Sequence, residues 1–326
     1  MFVWIGFFVL IAIFLALDLG VFHKKNTVVT IKDSLIWTGV WVTAALLFGI
    51  AIFFIYENHL FDLNTHGING GEAIAMYYTG YVLEKSLSID NIFVIALVFQ
   101  YFKIKPEFQH RVLFWGIIGA VIFRFIMILL GKAFIEQFDW AMYVFGGILV
   151  LSALKMLKGG SEEGSDFRKS FGVRMLSKIY PIDWTIENGH FFEKIDGKKV
   201  ATPLLATLLV VEFTDILFAV DSIPAIFSVT SDPFIILSSN IFAILGLRSL
   251  YFLLAGILDK FRYLKYSLTL ILLFVGLKMI FHNHFAFLQE HTWVSLVVIL
   301  SLLLAGILGS LFVMERDKQE NDANEK

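Results

Sequence analysis

The stretch from Ser34 to Tyr56 reads SLIWTGVWVTAALLFGIAIFFIY, and it decides the class of fold. None of its side chains is charged, and a helix of about 20 apolar residues crosses the roughly 30 Å of hydrocarbon in a bilayer. Lipid offers the backbone no hydrogen-bond partner, so a segment of this kind crosses the membrane as an α-helix. The stretch therefore predicts a transmembrane helix.

Eight further apolar segments extend this prediction to an all-α polytopic membrane protein with about nine transmembrane helices. They cover residues 2–22, 73–101, 112–131, 141–157, 201–229, 235–258, 264–281 and 293–314. The composition agrees, because 58% of the 326 residues are hydrophobic, whereas soluble domains contain about 45–50% apolar residues. The first segment has no basic residues before it and no small-residue cleavage site, so we predict a retained helix and not a signal peptide.

The placement of basic residues predicts the orientation of the chain. Linkers that carry Lys or Arg alternate with linkers that are nearly free of them; the basic ones begin at Lys24, Lys103, Lys158, Lys260 and Arg316. Basic linkers stay in the cytoplasm, so the N-terminus is predicted outside and the C-terminus inside. The net charge of −2 and the lack of a basic surface argue against a nucleic-acid partner.

Two acidic motifs recur inside the apolar segments. Residues 84–91 read EKSLSIDN and residues 215–222 read DILFAVDS, which share an acid, five residues, a second acid and a small polar residue. The next segment in each half carries a lone arginine, Arg124 or Arg248, and the segment after that ends in Leu-Lys-Met in both halves. Three landmarks in the same order indicate an internal repeat.

Each repeat holds three helices, an odd number, so the second copy is predicted to enter the membrane from the opposite side. Inverted repeats are typical of secondary transporters, whose sites lie at mid-membrane on broken helices. Pro224 lies just beyond Asp221 and predicts that the sixth helix kinks or unwinds there. The predicted units are residues 1–72 with two helices, 73–158 with the first repeat, a cytoplasmic loop at 159–200, 201–283 with the second repeat, 284–314 with the last helix, and a tail at 315–326.

The loop and the tail lie outside the apolar segments. The loop is predicted to be a solvated linker with one hairpin at the turn sequence KIDGKK, residues 194–199. A regulatory role is the alternative for this loop. The charged tail is predicted to be disordered.

The charges within the helices are the candidate functional residues, because each costs about 2.5–3.5 kcal/mol at the bilayer centre unless it faces a partner or water. The candidate metal ligands are Glu84, Asp90, Asn91, Asp215, Asp221 and Ser222. The candidates for proton coupling or support of the ligands are Glu212, Ser86 and Ser88, and the candidate charge partners are Lys85, Arg124 and Arg248.

Oxygen donors of this kind suit hard divalent cations such as Mn²⁺, Mg²⁺ and Ca²⁺. The chain contains no cysteine, so thiolate sites are absent. The alternative interpretation is that the acids and bases form interior ion pairs that only hold the helices together. Lys155 and Lys278 lie near the ends of segments and are predicted to extend toward water, and Asp18 is predicted to cap its helix or to extend toward water.

Three stretches resemble the TerC family of integral membrane proteins. They are GYVLEKSLSIDNIFV at 80–94, VEFTDILFAVDSIPAIF at 211–227 and SNIFAILGLRSLYFLLAG at 239–256. Within the family the chain is most similar to the bacterial Alx-type members. The resemblance implies a bacterial inner-membrane protein linked to manganese export, and it carries the family's acidic positions over to Glu84, Asp90, Asn91, Glu212, Asp215 and Asp221.

The combined prediction is a secondary transporter that exports a divalent metal ion by alternating access. In this prediction, export of the ion is coupled to its exchange for protons. Mn²⁺ as the transported ion rests on the resemblance, and we expect no permanently bound cofactor and no enzymatic activity. We expect its partners to be the bilayer, the transported ion and protons. The sequence leaves the formation of a homo-oligomer open. The alternative is a membrane scaffold or sensor of metal, pH or redox stress that recruits partners through the loop.

Overall fold

Helices make up almost all of the computed structural model, which describes residues 2–22, 30–64, 67–138, 140–157, 167–186, 188–254, 263–281 and 292–324. The helices are α1 (Phe2–Phe22), α2 (Ile31–Glu57), α3 (Gly70–Tyr101), α4 (Pro106–Gln137), α5 (Ala141–Leu157), α6 (Phe171–Ile179), α7 (Pro203–Phe227), α8 (Pro233–Ile244), α9 (Leu247–Leu254), α10 (Leu264–Ile280) and α11 (Thr292–Asn324). The strands are β1 (Phe192–Ile195) and β2 (Lys198–Ala201). Each of the nine predicted apolar segments is helical over most of its described residues.

Within these described ranges, four helices are each long and apolar enough to cross a membrane: α2, α4, α7 and the first part of α11. The bent pair α8 and α9 makes a fifth if it is counted as one span. Helix α3 has 32 residues but is not among them, because Glu84, Lys85 and Asp90 interrupt its apolar sequence. The crossing of the membrane by all nine segments stays a prediction, as do the orientation and the inverted repeat.

Helix α3 lies in the middle of the bundle, where it contacts α2, α7, α8 and α11. Helix α4 packs on α7 and α8, and α5 packs along α10. The α5–α10 contact is close at Gly146, where an added Cβ would lie 2.8 Å from the carbonyl oxygen of Gly276. The packing of α3, α4, α7 and α8 brings together the helices that carry the predicted site.

The predicted seventh helix, residues 235–258, is broken in the structure. Helix α8 ends at Ile244 and α9 begins at Leu247, with a bend of 40° between them. Gly246 lies in the break with φ +79°, a backbone conformation that glycine adopts without steric cost. The predicted unwinding beside Pro224 is wrong, because α7 continues through this residue to Phe227; the alternative, a kink at Pro224, stays a prediction. Pro224 lies only one turn before the end of α7, where little of the helix follows it.

Substitution of Gly246 by alanine is expected to lower the free energy of unfolding by about 1–3 kcal/mol, the cost of a non-glycine residue in such a conformation. The added Cβ would also lie 2.8 Å from the Cβ of Trp41, which has little room to move. Unfolding by SDS titration in detergent micelles measures the change. Gly39→Ala is the control, because nothing lies within 4 Å of its added Cβ and alanine favours helix. Equal stability of the two variants would contradict the conformation described for the break.

The loop after α5 is a folded element in its described part. The predicted hairpin is confirmed: β1 pairs antiparallel with β2, and its turn has positive φ at Asp196 and Gly197, as a two-residue type I′ turn requires. The prediction of a solvated linker is wrong for α6, which packs on α7 and buries Val173 and Leu176.

The charged tail is also more ordered than the sequence predicts. Helix α11 continues to Asn324, so the predicted disorder of residues 315–326 is wrong over most of the tail. Glu, Lys and Arg are good helix formers, and lengthening an existing helix needs no new nucleus. A polar composition was therefore compatible with helix here.

Candidate functional site

Arg124 is the centre of a buried polar cluster that joins four helices. This α4 side chain is 1% exposed and forms an ion pair with Glu84 of α3. Its Nη2 atom lies 3.5 Å from Oδ1 of Asp215 on α7. Its Nη1 atom donates to Oγ of Ser222 at 3.1 Å and to Oδ1 of Asn240 on α8 at 3.2 Å. A single guanidinium thus binds two carboxylates from the two predicted repeats.

Helical spacing explains why these residues converge. Positions 84, 88 and 91 lie on one face of α3, and positions 215 and 222 lie on one face of α7. Ser88 donates to Oε1 of Glu84 at 3.3 Å, and the amide of Asn91 donates to Oδ1 of Asp215 at 3.1 Å. In each motif the first acid and the small polar residue seven positions later therefore face the cluster.

The second acids of the motifs behave differently. Asp221 lies six positions after Asp215, which turns its side chain by about 240° around α7. It accepts a hydrogen bond of 2.6 Å from Ser152 of α5 and not one from Arg124. The Asp90 side chain lies outside the described ones. Asp221 therefore lies at Ser152 and not at Arg124, and the role of Asp90 and Asp221 as ligands stays a prediction.

Several oxygen atoms in and beside the cluster are buried without a hydrogen-bond partner among the described residues. They are Oδ1 of Asn91, Oδ2 of Asp215 and Oε2 of Glu212. Asn91 and Asp215 line a cavity of about 20 Å³ between α3, α4 and α7, and a volume of this size holds about one water molecule. Buried acceptors normally have a partner, so the geometry leaves room for a water or a small cation beside these oxygens.

Glu212 lies one turn before Asp215 and faces α4 at a glycine. A Cβ on Gly119 would collide with the carboxylate of Glu212, so this glycine makes the space that the carboxylate occupies. Within the described part of the chain, no three His, Asp or Glu side chains are grouped closely enough to hold a metal ion. Arg124 pairs with both Glu84 and Asp215, so a guanidinium holds these two carboxylates in this conformation.

The remaining candidate residues lie outside the cluster. Ser86 donates to the carbonyl of Val82 in its own helix at 2.6 Å. The ammonium of Lys85 donates to the carbonyl of Ala243 at 3.1 Å, in the last turn of α8. A positive group is favourable at the C-terminal end of a helix, so Lys85 stabilises the end of α8 at the break.

Arg248 pairs with an acid, as predicted, and that acid is Asp18. Nη2 of Arg248 lies 3.0 Å from Oδ2 of Asp18, and both side chains are buried. The prediction that Asp18 extends to water is therefore wrong. It is also wrong for Lys278, which is 5% exposed and donates to Ser295 of α11 at 3.1 Å. Lys155 is exposed, and its extension toward water stays a prediction.

Sequence reasoning missed three residues of this region: Asn240, Ser152 and Gly119. Asn240 and Ser152 are polar residues within apolar helices, and that is the signal that could have found them. Gly119 carries no chemical signal of its own, because its role depends on which residue faces it.

The family of the chain follows from comparison with known proteins. The profile of the "Integral membrane protein TerC family" matches residues 69–318. The chain belongs to the TerC family. This result confirms the resemblance and makes the protein an integral membrane protein of a bacterial family.

Three relatives align over nearly their whole length. An uncharacterized membrane protein of Myxococcus xanthus is 44% identical over 321 residues, 98% of this chain and 95% of the relative. An uncharacterized membrane protein of Rickettsia felis is 45% identical over 308 residues, 94% of this chain and 97% of the relative. Alx of Escherichia coli K12, which its name proposes to be a membrane-bound redox modulator, is 42% identical over 318 residues, 97% of this chain and 96% of the relative. No solved structure matches the chain significantly.

Proposed function

We propose that the protein is a secondary transporter that exports a divalent cation, with Mn²⁺ as the transported ion. The observation that carries the proposal is the set of buried oxygens on Asn91, Asp215 and Glu212 that have no hydrogen-bond partner in the part of the chain that the structure describes. They belong to the two helices that hold the repeated motifs, and two of these residues line one cavity. Carboxylate and amide oxygens are the ligands that hard divalent cations prefer. Ionisable groups inside membrane helices typically mark ion pathways.

Arg124 acts in this proposal as a built-in counter-ion. Glu84 and Asp215 carry two negative charges when ionised, and Arg124 neutralises one of them. A divalent cation at the unpartnered Oδ2 of Asp215 would share this carboxylate with the guanidinium, which lies near Oδ1. The two positive charges repel each other, so binding of the cation weakens the pairing of Arg124 with Asp215 and thereby couples occupation of the site to the contact of α4 with α7. Proton exchange at Glu212 or Asp215 completes the cycle in this proposal.

The helix packing supports two inverted repeats. Helix α3 packs on α8, α7 packs on α4, and α5 packs on α10. These contacts pair each helix of residues 73–158 with one of residues 201–283, as a two-fold relation between the halves requires. The break between α8 and α9 agrees with the broken helices of transporters. We propose that nine transmembrane helices cross the inner membrane of a bacterium. The N-terminus then lies outside and the C-terminus lies in the cytoplasm.

The name of the Alx relative proposes a redox role, which is a different class of function. This chain contains no cysteine, so thiol–disulfide exchange is not open to it. A scaffold or sensor that acts through residues 159–200 is the other candidate. Both predict that the purified protein moves no metal.

Uptake of Mn²⁺ into inside-out vesicles tests the proposal. We expect the wild-type protein to accumulate Mn²⁺, and Asp215→Asn to reduce the initial rate at least tenfold, because the substitution removes a charged ligand. Each tenfold change corresponds to about 1.4 kcal/mol. Asp33→Asn is the matched control, since Asp33 is exposed at the start of α2 and its loss should leave the rate unchanged.

Two outcomes would overturn the proposal. Vesicles with the wild-type protein would take up no more Mn²⁺ than vesicles without it, or Asp215→Asn would transport at the wild-type rate. The amount of each variant in the vesicles, measured by quantitative immunoblot, separates loss of transport from loss of protein.

A further inference from the structure

Helix α6, in the loop after α5, has an exposed apolar stripe. The stripe consists of Phe171, Met175 and Ile179, whose exposed fractions are 58%, 52% and 66%. Residues four positions apart lie on the same side of a helix, so the three side chains fall within an arc of about 80°. The stripe is separate from the side that packs on α7, where Val173 and Leu176 are buried. Contiguous apolar surface of this kind marks an interaction site.

The third side of α6 is polar and basic. It carries Arg174, Ser177 and Lys178, all of them exposed, and none of the nine residues of the helix is acidic. A helix that separates apolar residues from basic ones in this way is typical of a membrane interface. Its apolar side enters the boundary of the acyl chains, and its basic side chains reach the lipid phosphates.

The contact with α7 sets the depth of α6. An added Cβ on Gly172 would lie 3.1 Å from the carbonyl oxygen of Leu209, so the two helices are close at this point. Leu209 lies six residues into α7, about 9 Å from its first residue. Helix α7 is long and apolar enough to cross a membrane. Helix α6 therefore packs near one end of a membrane-crossing helix, at the depth where headgroups give way to acyl chains.

The apolar stripe continues onto the outer surface of α7. The rings of Phe171 and Phe213 are stacked, with centroids 5.3 Å apart and an interplanar angle of 30°. Leu217 follows one turn after Phe213, near the middle of α7, and is exposed. An exposed leucine in the middle of a membrane-crossing helix contacts acyl chains. The stripe and this side of α7 thus form one continuous apolar surface.

We propose that α6 lies in the interface of the bilayer that α7 crosses. The partner of its exposed surface is phospholipid: the apolar stripe contacts the acyl chains, and Arg174 and Lys178 contact the phosphate groups. The loop after α5 is then attached to the membrane as well as to α7. The proposal is independent of metal transport, because no residue of α6 belongs to the Arg124 cluster.

The depth of spin labels in the bilayer tests the proposal. The chain contains no cysteine, so one introduced cysteine carries the label in the full-length protein. The protein is reconstituted in liposomes of phosphatidylethanolamine and phosphatidylglycerol. Collision rates of the label with oxygen, which concentrates among acyl chains, and with a water-soluble nickel chelate then give its depth.

We expect labels on opposite sides of α6 to differ. Labels at Met175→Cys and Ile179→Cys should lie about 5–10 Å below the phosphates, the depth of the apolar face of an interfacial helix, and should collide mainly with oxygen. The label at Ser177→Cys should collide mainly with the nickel chelate. Leu217→Cys calibrates the lipid, and Lys198→Cys in the exposed part of the hairpin calibrates water.

A pair of matched variants adds the same charge to each side of α6. With the label at Ile179→Cys, we expect Met175→Asp to move the label toward water, because a carboxylate is costly among acyl chains. Ser177→Asp places its charge on the polar side, so the label should keep its depth.

Three outcomes would overturn the proposal. Labels at Met175→Cys and Ile179→Cys that meet the nickel chelate as often as the label at Lys198→Cys would show that the stripe faces water. Labels that collide rarely with both reagents would show that protein covers the stripe, as in contact with a second copy of the chain. A label at Leu217→Cys that faces water would show that α7 does not cross the bilayer.

Discussion

Replacement of Arg124 by methionine is expected to lower the free energy of unfolding by about 3–5 kcal/mol, the cost of removing one partner from a buried ion pair. The substitution leaves Glu84 and Asp215 without their shared cation, and it also removes the donor to Ser222 and Asn240. Methionine keeps much of the volume of the side chain, so the loss of charge and hydrogen bonds dominates the effect. Unfolding by SDS titration in mixed micelles measures it.

A control on the same helix separates this effect from a general loss of charge. Lys132 lies two turns beyond Arg124 on α4 and is partly exposed, in an ion pair with Glu136 at 3.5 Å. Exposed ion pairs contribute about 0–1 kcal/mol, so Lys132→Met should have little effect. The double variant Glu84→Gln with Arg124→Met should recover part of the loss, because it removes an uncompensated charge. A cost below about 1 kcal/mol for Arg124→Met would contradict a buried ion pair at this site.

Replacement of Arg248 by methionine is expected to lower the free energy of unfolding by about 3–5 kcal/mol as well. Arg248 joins α9 to α1 through the carboxylate of Asp18, and it also donates to the Asp18 carbonyl. Both side chains are buried, so the single variant leaves the Asp18 carboxylate in an apolar environment. The pair also holds the bent α8–α9 segment against the first helix.

A double-mutant cycle tests this pair most directly. The variants are Asp18→Asn, Arg248→Met and the combination of the two, compared by unfolding in SDS. We expect the two single losses to sum to more than the loss of the double variant, with a coupling energy of about 0.5–3 kcal/mol. Arg174→Met on the exposed face of α6 is the control for loss of an arginine. Additive losses would show that Asp18 and Arg248 do not interact.

The competing interpretation of the cluster, a purely structural set of ion pairs, makes the same stability predictions but differs in transport. If Arg124 only holds helices together, the oxygens of Asn91, Asp215 and Glu212 have no ligand to bind. Asp215→Asn would then change stability but not Mn²⁺ uptake. The vesicle experiment and the unfolding experiment together therefore distinguish a counter-ion from a structural cation.

The sequence alone determined the positions of the helices and the chemical types in the site. Hydropathy located all nine apolar helices because lipid leaves the backbone no alternative to internal hydrogen bonds. The turn Asp196-Gly197 located the hairpin because few residues adopt positive φ. The repeated motifs identified Glu84, Asn91, Asp215 and Ser222, since charged and polar residues inside apolar helices are rare enough to stand out.

Only the tertiary structure decided which of these residues meet. Helical geometry turned Asp221 away from Asp215 toward α5, and it brought Asn240 of α8 to Arg124. Asp18 pairs with Arg248 of α9, and Lys278 donates to Ser295 of α11, where the sequence predicted contact with water. A break lies at Gly246, whereas the helix is continuous at Pro224, where the sequence predicted a kink or unwinding. The physical reason is the same in each case: a buried polar group is stabilised by the group on the neighbouring helix, and the sequence does not state which helix that is.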